Sequence, residues 1–290
     1  MKISEATESF LGYLQSRKKR AASTITTYRS ILGQFTDIIG DKDLSDLTLQ
    51  DIDSYAEKLT VLGFADKTYR NKITPIRSFV KYLYIKDMTA IKPEQVDVPP
   101  DPESEANFLT DEEAERFIEA CADTRDKALM LMLLTSAMRV SECVKARYED
   151  SYNRSILVRR GKGGGARPVK ITEEALHFYE KYVKEKRGTE PGPLFPNPNG
   201  TPLSRQIVWR KVVAYGKKAG IAKKVTPHTL RHTWCTGFLF RGGRIEVAQK
   251  IMGHKNIQTT LIYTHFTDPY LGEQYDKNMK SKKYAKQLVA

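Results

Sequence analysis

No run of about 18 apolar residues occurs in the chain, so no helical membrane span is expected. The longest apolar stretch, Ala128-Leu-Met-Leu-Met-Leu-Leu134, is too short to cross a bilayer. The chain opens on Met1-Lys-Ile-Ser-Glu and passes straight into a polar helical pattern, so no secretory signal is expected. Cysteine is scarce and odd in number: Cys121, Cys143 and Cys235 are widely spaced and form no CxxC pair. That excludes a disulfide framework, and the three read as reduced thiols packed as small apolar groups. The expected compartment is the cytoplasm. The phosphate-loop pattern GxxxxGK[ST] and the zinc pattern HExxH are both missing. Histidine is rare as well, with five in 290 residues, yet four of them (His228, His232, His254 and His265) fall close together near the end.

What the chain has in excess is positive charge, +13 in all, and it is unevenly placed. Residues 1–92 hold 15 Lys and Arg against 11 Asp and Glu. Residues 93–107 hold five acids and no base, and residues 108–290 hold 33 bases against 19 acids. A surplus of this size points to a polyanion partner, with nucleic acid first. The length fits two domains, each able to bury its own core.

Residues 1–92 carry helical periodicity only. Ile3, Phe10, Leu11 and Leu14 form one stripe, and Ile25, Tyr28, Leu32, Phe35 and Ile39 a second. Thr48 can cap a third helix with Ile52, Tyr55, Ala56 and Leu59 inward, and a fourth runs from about Asp66 to Ile85. Residues 93–107 contain four prolines and read as a linker. A second domain, 108–276, starts where Thr110 and Glu113 make a capping box for a helix through Ala122. A buried helix follows from about Arg125 to Ser136. Ile156–Arg160 and Arg167–Ile171 then flank Gly161-Lys162-Gly-Gly-Gly as a hairpin, with the strand before it undefined. Thr172 caps a helix to about Lys186, Pro191–Pro202 is an irregular loop, and four more helices are expected after it. Residues 277–290 form a basic tail in which Tyr284 and Leu288 could line one face of a short helix. The fold class is therefore mainly α: a four-helix N-terminal domain and a mixed α+β domain with a small antiparallel sheet.

Five short segments carry chemistry. Arg139 and Glu142, three apart in Met-Arg139-Val-Ser-Glu142, let a carboxylate hold a guanidinium whose planar fork matches two phosphate oxygens. Lys162, between glycines that allow close backbone approach, is a phosphate contact, a proton donor or simply a solvated turn residue. His228 and Arg231 follow the cap residue Thr226 and the first-turn residue Pro227, at a helix N-terminus whose dipole favours an anion. His228 and His232 are spaced as a metal pair could be, but an arginine on the same face opposes a cation, so no metal is expected. His254 in Met-Gly-His254 and Tyr263 in Leu-Ile-Tyr263-Thr-His complete the set. Cations beside a tyrosine suit attack by a phenolic oxygen on a phosphodiester.

In this order and with these spacings, Arg139, Lys162, His228-x-Leu-Arg231-His, Met-Gly-His254 and Ile-Tyr263-Thr-His resemble the tyrosine recombinase (phage integrase) family, and most of all its Xer-type members. The resemblance spans essentially the whole chain. It implies a core-binding helical domain and a catalytic domain forming a C-shaped clamp on double-stranded DNA, free as a monomer or dimer and tetrameric in the synapse. Tyr263 would be the nucleophile and form a 3′-phosphotyrosyl link on the way to a Holliday junction. Arg139 and Arg231 would bind the non-bridging oxygens, with Glu142 orienting Arg139. Lys162 would protonate the 5′-oxygen, His228 would act as acid or base, and His254 would hydrogen-bond the phosphate. No cofactor is implied, because the phosphotyrosyl bond keeps the energy of the broken one. The tail would dock on a neighbouring protomer. Two departures stand out: Ala137 replaces a frequent glycine, and Trp234-Cys235-Thr-Gly237 replaces a more usual Phe-Ala-Thr-His. A type IB-like topoisomerase uses a similar residue set, and a DNA-binding accessory protein with a degenerate site is the reading from another class.

Overall fold

The computed structural model describes residues 1–101, 107–152, 154–159 and 166–253. The chain divides into two compact units, Met1–Ser104 and Glu105–Ala290. Four helices build the first: α1 (Ile3–Ser16), α2 (Ala22–Ile39), α3 (Leu49–Val61) and α4 (Asp66–Ile85). Their stripes meet in one core around Phe10, Leu32, Phe35, Tyr55, Leu59 and Phe79. Phe35 and Tyr55 meet edge to face at 5.3 Å. Thr48 starts α3 as expected, with its N–H and its hydroxyl both donating to Asp51 Oδ2 at 2.8 Å.

The linker begins later than the prolines imply. Pro93–Gln95 form a 3-10 turn that packs on α4, with Pro93 and Val96 buried in the first unit's core. Ile91 and Val96 are apolar enough to dock there, and proline fixes the turn between them. Arg70 of α4 then donates to the Pro99 carbonyl. Of the expected linker, residues 102–106 lie outside the described residues.

The second unit has helices α5 (Asp111–Glu119), α6 (Thr124–Ser136), α7 (Val140–Cys143), α8 (Glu173–Tyr182), α9 (Arg205–Lys218), α10 (Pro227–Phe240) and α11 (Ile245–Met252). Its strands are β1 (Ser151–Tyr152), β2 (Ser155–Val158) and β3 (Arg167–Lys170). Over Ala128–Leu134 α6 is apolar on every side, as a central helix is, and it packs against both α8 and α10. Thr110 and Glu113 make the expected box on α5. That helix stops at Glu119, short of Ala122, because Asp123 turns to cap α6 by accepting from the Asp126 N–H at 3.2 Å. The sheet is antiparallel in the order β1-β2-β3, with Ile156 opposite Val169 and Val158 opposite Arg167. The strand left undefined by the sequence is β1, whose two residues are too few to show alternation. α8 runs into a π-helical turn, Val183–Arg187. All three cysteines are free and buried, and burial pushes each thiol up to about 12. Among the described residues, no helix is long and apolar enough to cross a membrane. The expected helix after α11 and the tail lie outside the described residues.

Candidate active site

Three elements converge on the carboxyl end of α11. The last carbonyls of a helix have no intrahelical donor and carry the negative end of its dipole. Here arginines supply the donors. Arg167 Nε donates to the Ile251 carbonyl at 3.0 Å. Arg139 Nη1 and Arg231 Nη2 both donate to the Met252 carbonyl, at 3.3 and 2.7 Å. Gly253 then ends the helix in the left-handed region, with φ 67° and ψ 38°, a conformation open to glycine without strain.

Arg139 and Glu142 meet, but not as a pair on a helix surface. Arg139 is the residue before α7 and Glu142 lies in its first turn, so the carboxylate reaches back to the Arg139 backbone N–H. Its Oε2 accepts from the Arg139 backbone N–H at 2.8 Å, and its Oε1 accepts from Arg139 Nη1 at 3.3 Å. Arg167 adds a fork to the same carboxylate, Nη1 to Oε1 at 3.0 Å and Nη2 to Oε2 at 2.9 Å. Burial alone would push the Glu142 carboxyl up. The Arg167 fork, the Arg139 N–H and both guanidinium charges outweigh burial and hold it below the ordinary range. Sequence reasoning missed Arg167. The signal was present in the hairpin alternation, which puts Arg167 on the inward face of β3 with Val169, where a charge must find partners.

Arg231 and His228 come from the first turns of α10. Thr226 caps that helix, its hydroxyl accepting from the Thr229 N–H at 3.2 Å, and Pro227 opens it. Arg231 is 4% exposed, whereas the Arg139 side chain keeps 40% of its surface open. Arg231 also donates to the carbonyl of Ala137. Ala137 ends α6 in the left-handed region at φ 57°, which costs a residue bearing Cβ roughly 1–2 kcal/mol. A glycine would avoid that cost, but the Ala137 methyl packs with Cys235, Leu239, Ala248 and Met252. The unusual Trp234 stacks on Phe238 with ring centroids 5.0 Å apart.

Desolvation by its neighbours, then the charges of Arg231 and Arg139, lowers the pKa of His228, which itself stays exposed. His232, its ring centroid 6.0 Å from that of His228, is lowered from 6.5 to about 4 by burial, by His228 and by Arg231. The fold therefore resists protonating His232, while the unfolded chain takes up that proton near pH 6.5. Stability is expected to fall as pH drops from about 6.5 towards 4, and His232→Asn should flatten that slope in melts run across the window. An unchanged slope would rule His232 out as its source.

Among the described residues, no group of three His, Cys, Asp or Glu side chains is placed to hold a metal. Arg139, Glu142, His228 and Arg231 come together. Lys162, His254 and Tyr263 lie outside the described residues. Lys162 falls between β2 and β3 in the chain, and His254 directly follows Gly253. Chemically, an open guanidinium near an imidazole of lowered pKa can bind an oxyanion and accept a proton.

Comparison with known proteins agrees with this geometry. Residues 107–269 match the phage integrase family, and residues 7–86 match the phage integrase N-terminal SAM-like domain. The tyrosine recombinase XerA of Pyrococcus horikoshii is 32% identical over 279 residues, covering 94% of this chain and 93% of its own. The tyrosine recombinase XerD of Oceanobacillus iheyensis is 29% identical over 286 residues, covering 93% and 96%. In fold, the chain is similar to the Tn1549 transposon integrase solved with a circular intermediate DNA, at TM-score 0.73 and 23% identity over 91% of this chain and 94% of that one. The chain belongs to the phage integrase family and is a DNA strand-transfer enzyme of the tyrosine recombinase class.

Proposed function

We propose that this chain cuts and rejoins duplex DNA at a specific site through Tyr263, as an Xer-type recombinase. The observation that carries the reading is the meeting of Arg139, Glu142 and Arg231 at the end of α11, with His228 near enough for both arginine charges to lower its pKa. Arg139 and Arg231 bind the two non-bridging oxygens of the scissile phosphate and offset the charge that grows there. The Tyr263 oxygen attacks phosphorus and passes its proton to His228. The bond from phosphorus to the 5′-oxygen breaks as Lys162 protonates that oxygen. His254, following Gly253, donates a hydrogen bond to the phosphate. The resulting 3′-phosphotyrosyl link is resolved when the 5′-hydroxyl of a partner strand attacks it, and two such exchanges pass through a Holliday junction. Resolution of chromosome or plasmid dimers by a tetramer extends this reading along the resemblance to Xer-type recombinases. The net charge of +13 and the DNA in the Tn1549 integrase complex support duplex DNA as the partner.

Covalent capture tests this. The purified chain, incubated with sheared genomic DNA and a chelator, should leave specific fragments attached after denaturation. Peptide mapping should place the phosphate on Tyr263, and capture should weaken steeply with salt as condensed counterions compete. An adduct lost on chelation and restored by zinc or magnesium would overturn the reading.

A further inference from the structure

The Glu142 carboxylate is shared unequally between two arginines. Arg167, whose side chain is 11% exposed, takes both oxygens in a fork at 3.0 and 2.9 Å. Arg139, 40% exposed, takes one longer side-chain bond at 3.3 Å. Two guanidinium charges against one carboxylate leave a positive charge over, and the unequal sharing places it on the exposed arginine. Without Arg167 the balance would change. Glu142 lies three residues from Arg139 and already accepts from its backbone N–H and from its Nη1, close enough to turn its full charge on the Arg139 fork. An arginine neutralised in that way attracts a phosphate poorly.

Arg167 is also fixed independently of Glu142. Its Nε holds the Ile251 carbonyl, one residue before the Met252 carbonyl that Arg139 and Arg231 share. One buried side chain thus ties β3 to the α7 cap and to the end of α11. We propose that Arg167 is a positioning residue: it occupies Glu142 so that the charge of Arg139 stays available to the scissile phosphate. The inference rests on the reading that Arg139 binds that phosphate.

The test is a comparison of single-turnover cleavage rate and duplex affinity, measured separately on nicked duplex substrate. The proteins are wild type, Arg167→Ala, Arg167→Lys, Glu142→Gln, Arg139→Ala and the two doubles combining either Arg167 variant with Glu142→Gln. Arg167→Ala should cleave about 100-fold slower, the scale of a misdirected reacting group, with affinity close to wild type. Adding Glu142→Gln should speed Arg167→Ala by about tenfold, because a neutral amide no longer competes for Arg139. A residue that merely supports the fold gives the opposite sign, since the second change removes a further contact. If Arg167→Ala does not fold, Arg167→Lys supplies the comparison: it keeps the charge without the fork, and Glu142→Gln should again speed it. A double no faster than its Arg167 parent overturns the proposal, as does wild-type cleavage by Arg167→Ala while Arg139→Ala is inactive. Wild-type cleavage by Arg139→Ala would overturn the underlying reading of the phosphate site instead.

Discussion

Tyr263→Phe is expected to abolish strand cleavage while leaving duplex binding nearly unchanged. The substitution removes one hydroxyl and keeps the ring, so packing and shape are preserved. Duplex affinity comes from many cationic contacts spread over a chain of net charge +13. The covalent step has no such redundancy. Loss of the attacking oxygen should lower the rate on the order of 10⁴-fold or more, the scale seen when a covalent nucleophile is deleted. Denaturing gels after incubation with nicked duplex read the adduct, and gel shifts read binding. A variant that still formed the adduct would remove Tyr263 from its role and bring Tyr270 or Tyr275 forward. A variant that lost binding in step with cleavage would show that the tyrosine acts through contact, not attack.

The meeting of Arg139, Glu142 and Arg231 within the described residues was legible in the sequence because these parts announce themselves through side-chain chemistry. Thr226-Pro227 marks a helix start, and its structure places His228 and Arg231 in the first turns of α10. Arg139 and Glu142 have pairing distance written in their spacing, although the spacing alone could not tell a helix-surface pair from a cap on four-residue α7. The acceptors were invisible. Arg139, Arg167 and Arg231 are gathered by the carbonyls of Ile251 and Met252, and a backbone oxygen has no side-chain signature. Arg167 was lost among 48 basic residues, since only its inward register on β3 separates it from a solvated charge. The extent of the first unit was obscured for another reason. Proline and acid density suggested a linker from residue 93, yet Pro93 and Val96 fill a core whose shape only the folded helices define.

Arg231→Ala is expected to lose stability and cleavage together, and the two losses have different physical origins. Arg231 is 4% exposed and bridges the Ala137 carbonyl at the end of α6 and the Met252 carbonyl at the end of α11. Truncation takes this donor from the Ala137 carbonyl, at about 1–3 kcal/mol for a buried group left unpaired, and leaves the Met252 carbonyl only the longer bond from Arg139. Relief of repulsion among three close arginines offsets part of this. The balance is a destabilisation of a few kcal/mol, worth roughly 2–4 °C in Tm per kcal/mol for a unit of this size. On the proposed reading cleavage falls for a separate reason: one of two arginines assigned to the phosphate is gone, which removes about 10²–10³-fold. Arg231→Lys divides the two effects. Its ammonium keeps the charge and can reach one carbonyl, so much of the stability should return. It lacks the planar fork that spans two carbonyls and a phosphate oxygen, so cleavage should stay at least about tenfold below wild type. Melting curves and single-turnover cleavage on the same preparations separate the outcomes. Wild-type cleavage by folded Arg231→Ala would show that Arg231 only braces the helix ends. Wild-type melting with lost cleavage would show that the carbonyl bridge contributes nothing and that the guanidinium is held in place by the substrate.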